Sequence, residues 1–351
     1  MKIPAFLLCL LLAGSVRAQE DNLTVGVNEG IELMSLVQYL GGHLENNTPS
    51  PYRSDVQQYF WKYRNEPAVK DIFEAKYKIY SDLVECGLAF YNFPDIKMHR
   101  LPDSCIWVSK IGRDSLDRYM RDCMQFYRVS RFHDFYTAHL SMYQQWAGGL
   151  RDSVSESVRI FDSLINTRRD HHWMICMDPL NDWGAHTINP AIVNPEYRSF
   201  FIFQLGYFGD TDKLGRMTFN ADLFNFGWHE GTHAFTDTIL GSFKSNIDSL
   251  ADLMPHSGAL HGQNIDDWQH YFNELMANAV SVALFRQFRS ASEYNNLIQR
   301  NLRFGFVHIQ TVSDVIYENY IHARKVDNFE GLMPLIFAAL RKNGVDSKPN
   351  Q

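Results

Sequence analysis

The chain has 351 residues, of which 45% are apolar, and its 33 Lys and Arg against 40 Asp and Glu give a formal net charge of −7. This apolar content supports a substantial core, and the length suits one large domain or two closely packed ones. An acidic chain without a basic stripe is unsuited to nucleic acid or to an anionic membrane, so we expect neither as a partner.

The N-terminus has the features of a cleavable secretory signal. Lys2 gives a positive start, an apolar core covers residues 5–16, and small residues precede a cleavage position between Ala18 and Gln19. The apolar core is too short to span a membrane. We therefore predict a signal peptide at 1–18, no membrane span after its removal, and export to the periplasm or the extracellular space.

Four of the five cysteines lie beyond this segment, at Cys86, Cys105, Cys123 and Cys176. Export permits disulfides, and an even number of cysteines is compatible with two of them. No CxxC spacing occurs, so we expect neither a cysteine zinc site nor a thioredoxin-like redox pair. Buried thiols and one or two structural bridges both remain open, and the sequence does not indicate a pairing.

Helical periodicity dominates the region from residue 19 to residue 166. Apolar residues recur at helical spacing over 31–40, 56–63 and 68–88, and long amphipathic helices rich in aromatic residues are expected at 115–127 and 131–165. We therefore predict that 19–166 is a mostly helical N-terminal region packed on the core.

The pattern changes after residue 167. Strand-like runs occur at 172–177, 184–188 and 198–205, and helical periodicity returns from 220 almost to the end. The predicted fold class is α+β: mostly α-helical, with a small antiparallel sheet preceding a helix at 222–240.

That helix contains His229-Glu230-Gly231-Thr232-His233, an HExxH motif. Positions i and i+4 lie on one face of a helix, one turn apart, so His229 and His233 can bind one zinc ion. Glu230 is then placed to act as general base on a metal-bound water. Because the pattern also arises by chance, the surrounding sequence must supply a further ligand.

The best candidate for the third ligand is Glu274. Catalytic zinc sites usually have three protein ligands and leave the fourth position to water. Glu274 lies on a largely apolar helix predicted at 266–288. A carboxylate on a buried helix needs a counter-charge, which zinc would provide. The alternative is an ion pair between Glu274 and Arg286 or another base.

Two segments resemble a known family. Residues 228–237 resemble the HExTHAxTD signature of thermolysin-type gluzincins, and Asn273-Glu274 resembles the Asn-Glu pair that carries their third ligand. The resemblance implies a zincin-like catalytic region at 167–345, in which one zinc ion is held by His229, His233 and Glu274. It also implies that Glu230 is the general base and that the substrate is a peptide or protein.

One position departs from the family pattern. Gluzincins usually have aspartate four residues after the ligand glutamate, hydrogen-bonded to a ligand histidine, and this chain has Asn278. Asparagine can accept that hydrogen bond but stabilises charge less well, which would weaken catalysis more than metal binding. Asp237 is an alternative orienting group.

Over nearly its whole length the chain also resembles an uncharacterised family of secreted bacterial gluzincin-like proteins of unknown function. The segments that carry this resemblance are Glu29–Leu40, the HExxH helix and the tail Tyr320–Pro334. It implies an independent architecture of helices with a small sheet, and it indicates no substrate.

The predicted function is a secreted zinc metallopeptidase. Peptide hydrolysis also needs a donor to the developing oxyanion, for which Tyr317, Tyr320 and His322 are candidates and Tyr320 is preferred; ordinary helix packing is the alternative for each. Two other functions remain. One is a non-catalytic zinc-containing binding or adhesion protein, although such a protein has no use for Glu230 as a base. The other is a zinc hydrolase of non-peptide amides.

Overall fold

The computed structural model describes residues 22–42, 49–74, 81–165, 171–181, 185–188, 200–207, 209, 211–219 and 223–346. The predicted signal peptide at 1–18 lies outside these residues. Residue contacts divide the chain into two units, the first comprising 1–155 and 170–221 and the second comprising 156–169 and 222–351. Most described residues are helical and a small sheet accompanies them, which confirms the predicted α+β class.

The first unit contains two small sheets. Its described strands are β1 (Leu23–Gly26), β2 (Phe90–Tyr91), β3 (Lys97–Met98), β4 (His172–Asp178), β5 (Ala185–Ile188) and β6 (Phe200–Gly206). Strands β2 and β3 form an antiparallel ladder, and the other four form one sheet in the order β1-β4-β6-β5.

The prediction of an antiparallel sheet is wrong for most of its strand pairs. Strand β4 pairs in parallel with both β1 and β6, and only β5 pairs antiparallel with β6. Parallel neighbours need a long crossover connection, and here helices separate β1 from β4 in sequence. Most residues of β4 and β6 are buried in unbroken runs, as is usual for parallel strands.

The sequence-based division placed these strands in a region at 167–345 together with the HExxH helix. In the structure β1 pairs with β4 from Leu23 opposite Trp173 to Gly26 opposite Cys176. The sheet therefore belongs to the first unit, whereas the helix with the HExxH motif belongs to the second.

In the described residues, six helices accompany the sheets. They are α1 (Glu29–Leu40), α2 (Pro51–Phe60), α3 (Pro67–Glu74), α4 (Ile106–Ile111), α5 (Arg113–Ser130) and α6 (Phe132–Leu164), and the division between the units falls within α6. Phe60 lies at the centre of an aromatic core, with ring centroids 6.2 Å from Phe126, 6.0 Å from Phe132 and 4.8 Å from Phe135. The helical region is thus held by apolar burial, as the periodicity predicted.

The sequence left open whether the cysteines are buried thiols or form disulfides, and in the structure they are buried thiols. Cys86, Cys105, Cys123 and Cys176 are all buried, and none of them is in a disulfide.

The second unit is built from helices in its described part. These are α7 (Leu223–Ser242), α8 (Lys244–Asp248), α9 (Gly258–His261), α10 (Trp268–Phe288), α11 (Ala291–Arg303), α12 (Ile309–Ile316) and α13 (Met333–Asp346). A single turn of π-helix, Tyr317–Ile321, continues α12. Helix α10 packs against α7, α12 and the π-helical turn, so it lies at the centre of this unit.

Two anchors position α7 and α10. The fully buried Trp228 donates from its indole nitrogen to the carbonyl of Ser157 at 3.0 Å and packs edge-on against Phe285 of α10. At the start of α10, the Asp267 side chain accepts from the His270 amide at 2.8 Å and so satisfies a free backbone donor. Among the described residues, no helix is both long and apolar enough to cross a membrane.

Candidate metal centre

Helices α7 and α10 bring the three predicted ligands together. The Nε2 atoms of His229 and His233 lie 3.1 Å apart. Glu274 places one carboxylate oxygen 3.4 Å from His229 Nε2 and the other 3.4 Å from His233 Nε2. One potential ligand atom from each residue lies within 4.8 Å of the other two, so the three side chains could hold a metal ion.

The spacing of these atoms fits a small tetrahedral ion. Ligands about 2.0–2.1 Å from a central zinc ion at tetrahedral angles lie about 3.3–3.4 Å from one another. The two histidine nitrogens lie 3.1 Å apart, and each lies 3.4 Å from its nearer oxygen of the Glu274 carboxylate, which are distances close to that value. Two imidazole nitrogens and a carboxylate are also a donor set that zinc accepts in catalytic sites.

The carboxyl group of Glu274 is held in its charged form. Burial alone raises its pKa, but hydrogen bonds and positive charge from His229 and His233 outweigh burial and hold the pKa well below its usual range. Of the alternative partners that the sequence offered, Arg286 is wrong. Arg286 instead donates to Asp314 at 3.0 Å and to Glu318 at 2.9 Å.

Glu230 is buried directly beside the first histidine of the triad. Glu230 is only 5% exposed. The side chains of His229 and His233 are 16% and 13% exposed. The hydroxyl groups of Thr232 and Thr236 donate to carbonyls one turn earlier in α7, at 2.6 and 2.8 Å. The two hydroxyl groups of the motif therefore bond to the helix backbone, and Glu230 is the acid–base side chain within the motif.

Asn278 bonds within its own helix. Its side-chain nitrogen donates to the Glu274 backbone carbonyl at 2.8 Å, one turn earlier in α10. The expected role of Asn278 in orienting a ligand histidine stays a prediction. The side chain of Asp237, the other proposed orienting group, lies outside the described residues.

Sequence reasoning missed the contact that fixes α7 against α10 beside the site. The buried Ser281 hydroxyl lies 3.0 Å from Asn225 Oδ1 and 3.3 Å from the Asn225 carbonyl oxygen. Asn225 precedes His229 by one turn, and Ser281 follows Glu274 by two turns. This bond therefore sets the register that brings the ligands together. The only sequence signal for it is a polar residue at an otherwise apolar position of each helix.

Of the three candidate oxyanion donors, Tyr320 is the buried one. Tyr320 is 1% exposed, and burial raises its pKa while Arg324 opposes that shift. Its ring packs edge-on against Phe329, which packs edge-on against Phe235 of α7, two residues after His233.

The other two candidates form a separate cluster. The rings of Tyr317 and His322 stack 5.2 Å apart, with the Arg286 guanidinium over the Tyr317 ring. Tyr320 therefore remains the preferred candidate, and its catalytic role stays a prediction.

Comparison with known proteins gives one match. Residues 81–337 match a family described as a domain of unknown function (DUF4932). This match includes all three potential metal ligands and Glu230. No curated protein and no solved structure matches the chain. Because the match covers more than half of the sequence, the chain belongs to the DUF4932 family.

Proposed function

We propose that this protein is a secreted zinc metallopeptidase. The observation that carries the proposal is the meeting of His229, His233 and Glu274 at zinc-ligand spacing, with the buried Glu230 next to them in the motif. The predicted signal peptide supports secretion, and the resemblance of residues 228–237 to the gluzincin motif supports peptide hydrolysis.

The residues have separate roles. His229, His233 and Glu274 would hold the ion, and three protein ligands would leave a fourth coordination position for water or substrate. A bound zinc ion supplies Lewis acidity and lowers the pKa of a coordinated water to about 7. Glu230 would serve as the general base that accepts a proton from the attacking water, and as the acid that returns it to the leaving amine. The buried Tyr320 hydroxyl is our candidate donor to the developing oxyanion.

The ligand count favours catalysis over a purely structural ion. Structural zinc sites usually have four protein ligands, whereas catalytic sites have three and an open position. In the described part of the chain, the cluster consists of three residues. An acidic side chain beside an open position is what a hydrolase requires and what a non-catalytic binding protein does not use.

The change Glu230→Gln tests the mechanism. It keeps the size of the side chain but removes the base, so we expect peptide turnover to fall by about 100-fold or more while zinc content stays at one ion per chain. Turnover is measured on a peptide library, and metal by mass spectrometry of the purified chain. The matched control is Glu156→Gln, the same change at an exposed position of the same unit. Equal turnover of Glu230→Gln and wild type would refute the mechanism.

The same measurements separate the alternatives. A wild-type chain that binds zinc but cleaves no peptide would favour a binding or adhesion protein. Cleavage of non-peptide amides alone would favour the other class of zinc hydrolase. Export is tested by N-terminal sequencing of protein from the culture medium or the periplasm, where the mature chain is expected to begin at Gln19.

A further inference from the structure

Three of the four cysteines lie close together in the first unit. Cys86 is in a 3₁₀ helix, Ser81–Ala89, Cys105 directly precedes α4, and Cys123 is in α5. All three residues are at most 1% exposed. The thiol groups of Cys86 and Cys105 form a hydrogen bond with each other.

Contacts that do not involve sulfur hold the chain segments around Cys86 and Cys105 next to each other. In the β2–β3 ladder Phe90 lies opposite Met98, and the His99 amide extends the pairing by donating to the Ala89 carbonyl at 2.9 Å. Further along, the indole nitrogen of Trp107 donates to Glu85 Oε1 at 2.6 Å. Glu85 is adjacent to Cys86, and Trp107 is two residues from Cys105. The two segments that carry these cysteines are therefore held side by side.

The two thiols differ in acidity. The hydrogen bond from Cys86 lowers the pKa of Cys105 to about 6, against the effect of burial, and the backbone amides of Trp107 and Val108 act in the same direction as that bond. Burial raises the pKa of Cys86. Cys105 is therefore the more acidic of the two thiols. Thiol–disulfide exchange starts from the thiolate form of a cysteine, so Cys105 is the better attacking group.

We propose that Cys86 and Cys105 form a disulfide when the protein meets an oxidising disulfide, and that Cys123 and Cys176 remain thiols. The oxidant can be oxidised glutathione or the disulfide of an exported thiol oxidase. Cys123 is the less suitable partner, because its hydrogen bond is to Tyr119 and burial raises its pKa.

The exchange has two steps. The Cys105 thiolate attacks one sulfur of the oxidant, whose other sulfur leaves as a thiolate. Cys86 then loses its proton and attacks Cys105 Sγ, which releases the second half of the oxidant. Two electrons pass from the cysteine pair to the oxidant, which ends as two thiols. The bridge closes the chain segment that carries β2 and β3, so it restricts the unfolded chain and raises the melting temperature.

The test uses the full mature chain, purified with all four thiols reduced and then incubated with oxidised glutathione. Incubation continues long enough for local opening to expose the buried sulfurs. Remaining thiols are counted by alkylation and mass spectrometry, and the bridge is mapped by peptide masses. We expect the count to fall from four to two, a cross-linked peptide pair containing Cys86 and Cys105, and a higher melting temperature than for the reduced chain.

Single variants provide the controls. Cys105→Ser should keep its three remaining thiols and show the same melting temperature with and without oxidant. Cys123→Ser is the matched change at the neighbouring sulfur, and it should still form the bridge. Four thiols after oxidation, a bridge to Cys123, or glutathione left on Cys105 without closure would each overturn the proposal. The wild-type thiol count decides the question even if Cys105→Ser does not fold, and it does not depend on peptidase activity.

Discussion

Two carboxyl groups of this protein, the buried Glu32 and the partly buried Glu274, have opposite pKa shifts. Burial acts on Glu274 and on Glu32 of α1 in the same direction, towards the neutral form. At Glu274 the two histidines reverse this effect. At Glu32 the negative charge of Asp178 adds to it, and only the hydrogen bond donated by Tyr52 opposes it, so the pKa is well above its usual value. What faces each carboxyl group, rather than burial alone, decides its charge.

This contrast predicts a stabilising effect of Glu32→Gln that depends on pH. Because the folded pKa of Glu32 is raised, the folded chain retains a proton that the unfolded chain has lost. The native carboxyl group therefore destabilises the fold as pH rises above about 4.5, and glutamine removes this cost. We therefore expect Glu32→Gln to raise the free energy of unfolding at pH 8. The gain should vanish near pH 4.

The free energy of unfolding is measured by urea denaturation at both pH values. Glu29→Gln is the matched control, since Glu29 lies on the same helix but accepts hydrogen bonds from Tyr127 at 2.9 Å and His133 at 2.8 Å. It should give no gain at pH 8. A gain for Glu32→Gln that is equal at pH 4 and pH 8 would contradict the argument.

At the scale of single elements, α1 and the 3₁₀ helix Ser81–Ala89 pack backbone to backbone at a pair of glycines. A Cβ atom added at Gly87 would lie 2.3 Å from the Gly30 carbonyl oxygen, and one added at Gly30 would lie 2.1 Å from the Gly87 oxygen. Contacts this short with backbone atoms cannot be relieved by a side-chain rotation. The two glycines therefore allow the closest approach between these elements.

We expect Gly87→Ala to destabilise the protein by about 1–3 kcal/mol or more, because the elements must move apart. The matched control is Gly148→Ala within α6, where an added Cβ would have no neighbour within 4 Å. This control should instead stabilise the fold by about 0.5–1 kcal/mol, since alanine is the better helix former. Urea denaturation of both variants measures the difference. Equal effects of the two changes would show that the close approach is not a constraint.

Local sequence patterns predicted some features of these helices and strands. The spacing of His229 and His233 predicted one face of a helix, and the apolar context of Glu274 predicted a buried carboxylate in need of a positive partner. Both follow from local periodicity, and the structure confirms the meeting of the three residues. The direction of the strand pairs was predicted wrongly, because a short, largely apolar strand such as β6 does not show its partner's direction.

Other features depend on contacts between distant parts of the chain. The prediction of helix over 68–88 is only partly confirmed, because 81–89 is 3₁₀ and its Gly87 meets α1 across a long sequence separation. The bond between Asn225 and Ser281 joins residues 56 apart, and no periodicity within one helix reveals it. The same holds for the pairing of β1 with β4, which assigned the sheet to the first unit.

At the scale of the whole molecule, the candidate metal centre lies within one unit. His229, His233 and Glu274 all belong to the second unit, and the helices that carry them contact each other directly. An ion that binds the folded chain stabilises the part that forms its site, by an amount that grows with free metal concentration over the dissociation constant. Removing zinc should therefore lower the local stability of α7 and α10 before that of other elements.

Hydrogen exchange with and without a chelator tests this expectation. On zinc removal, we predict faster amide exchange in 223–242 and 268–288, and no change in α1 or in the β1–β4 pair of the first unit. The control is His229→Ala, whose exchange should match that of the zinc-free wild type and should not respond to the chelator. If the chelator speeds exchange equally in both units, the ion stabilises the chain as a whole. If the chelator changes the exchange rate nowhere, His229, His233 and Glu274 hold no stabilising ion. That result would contradict the zinc-dependent mechanism.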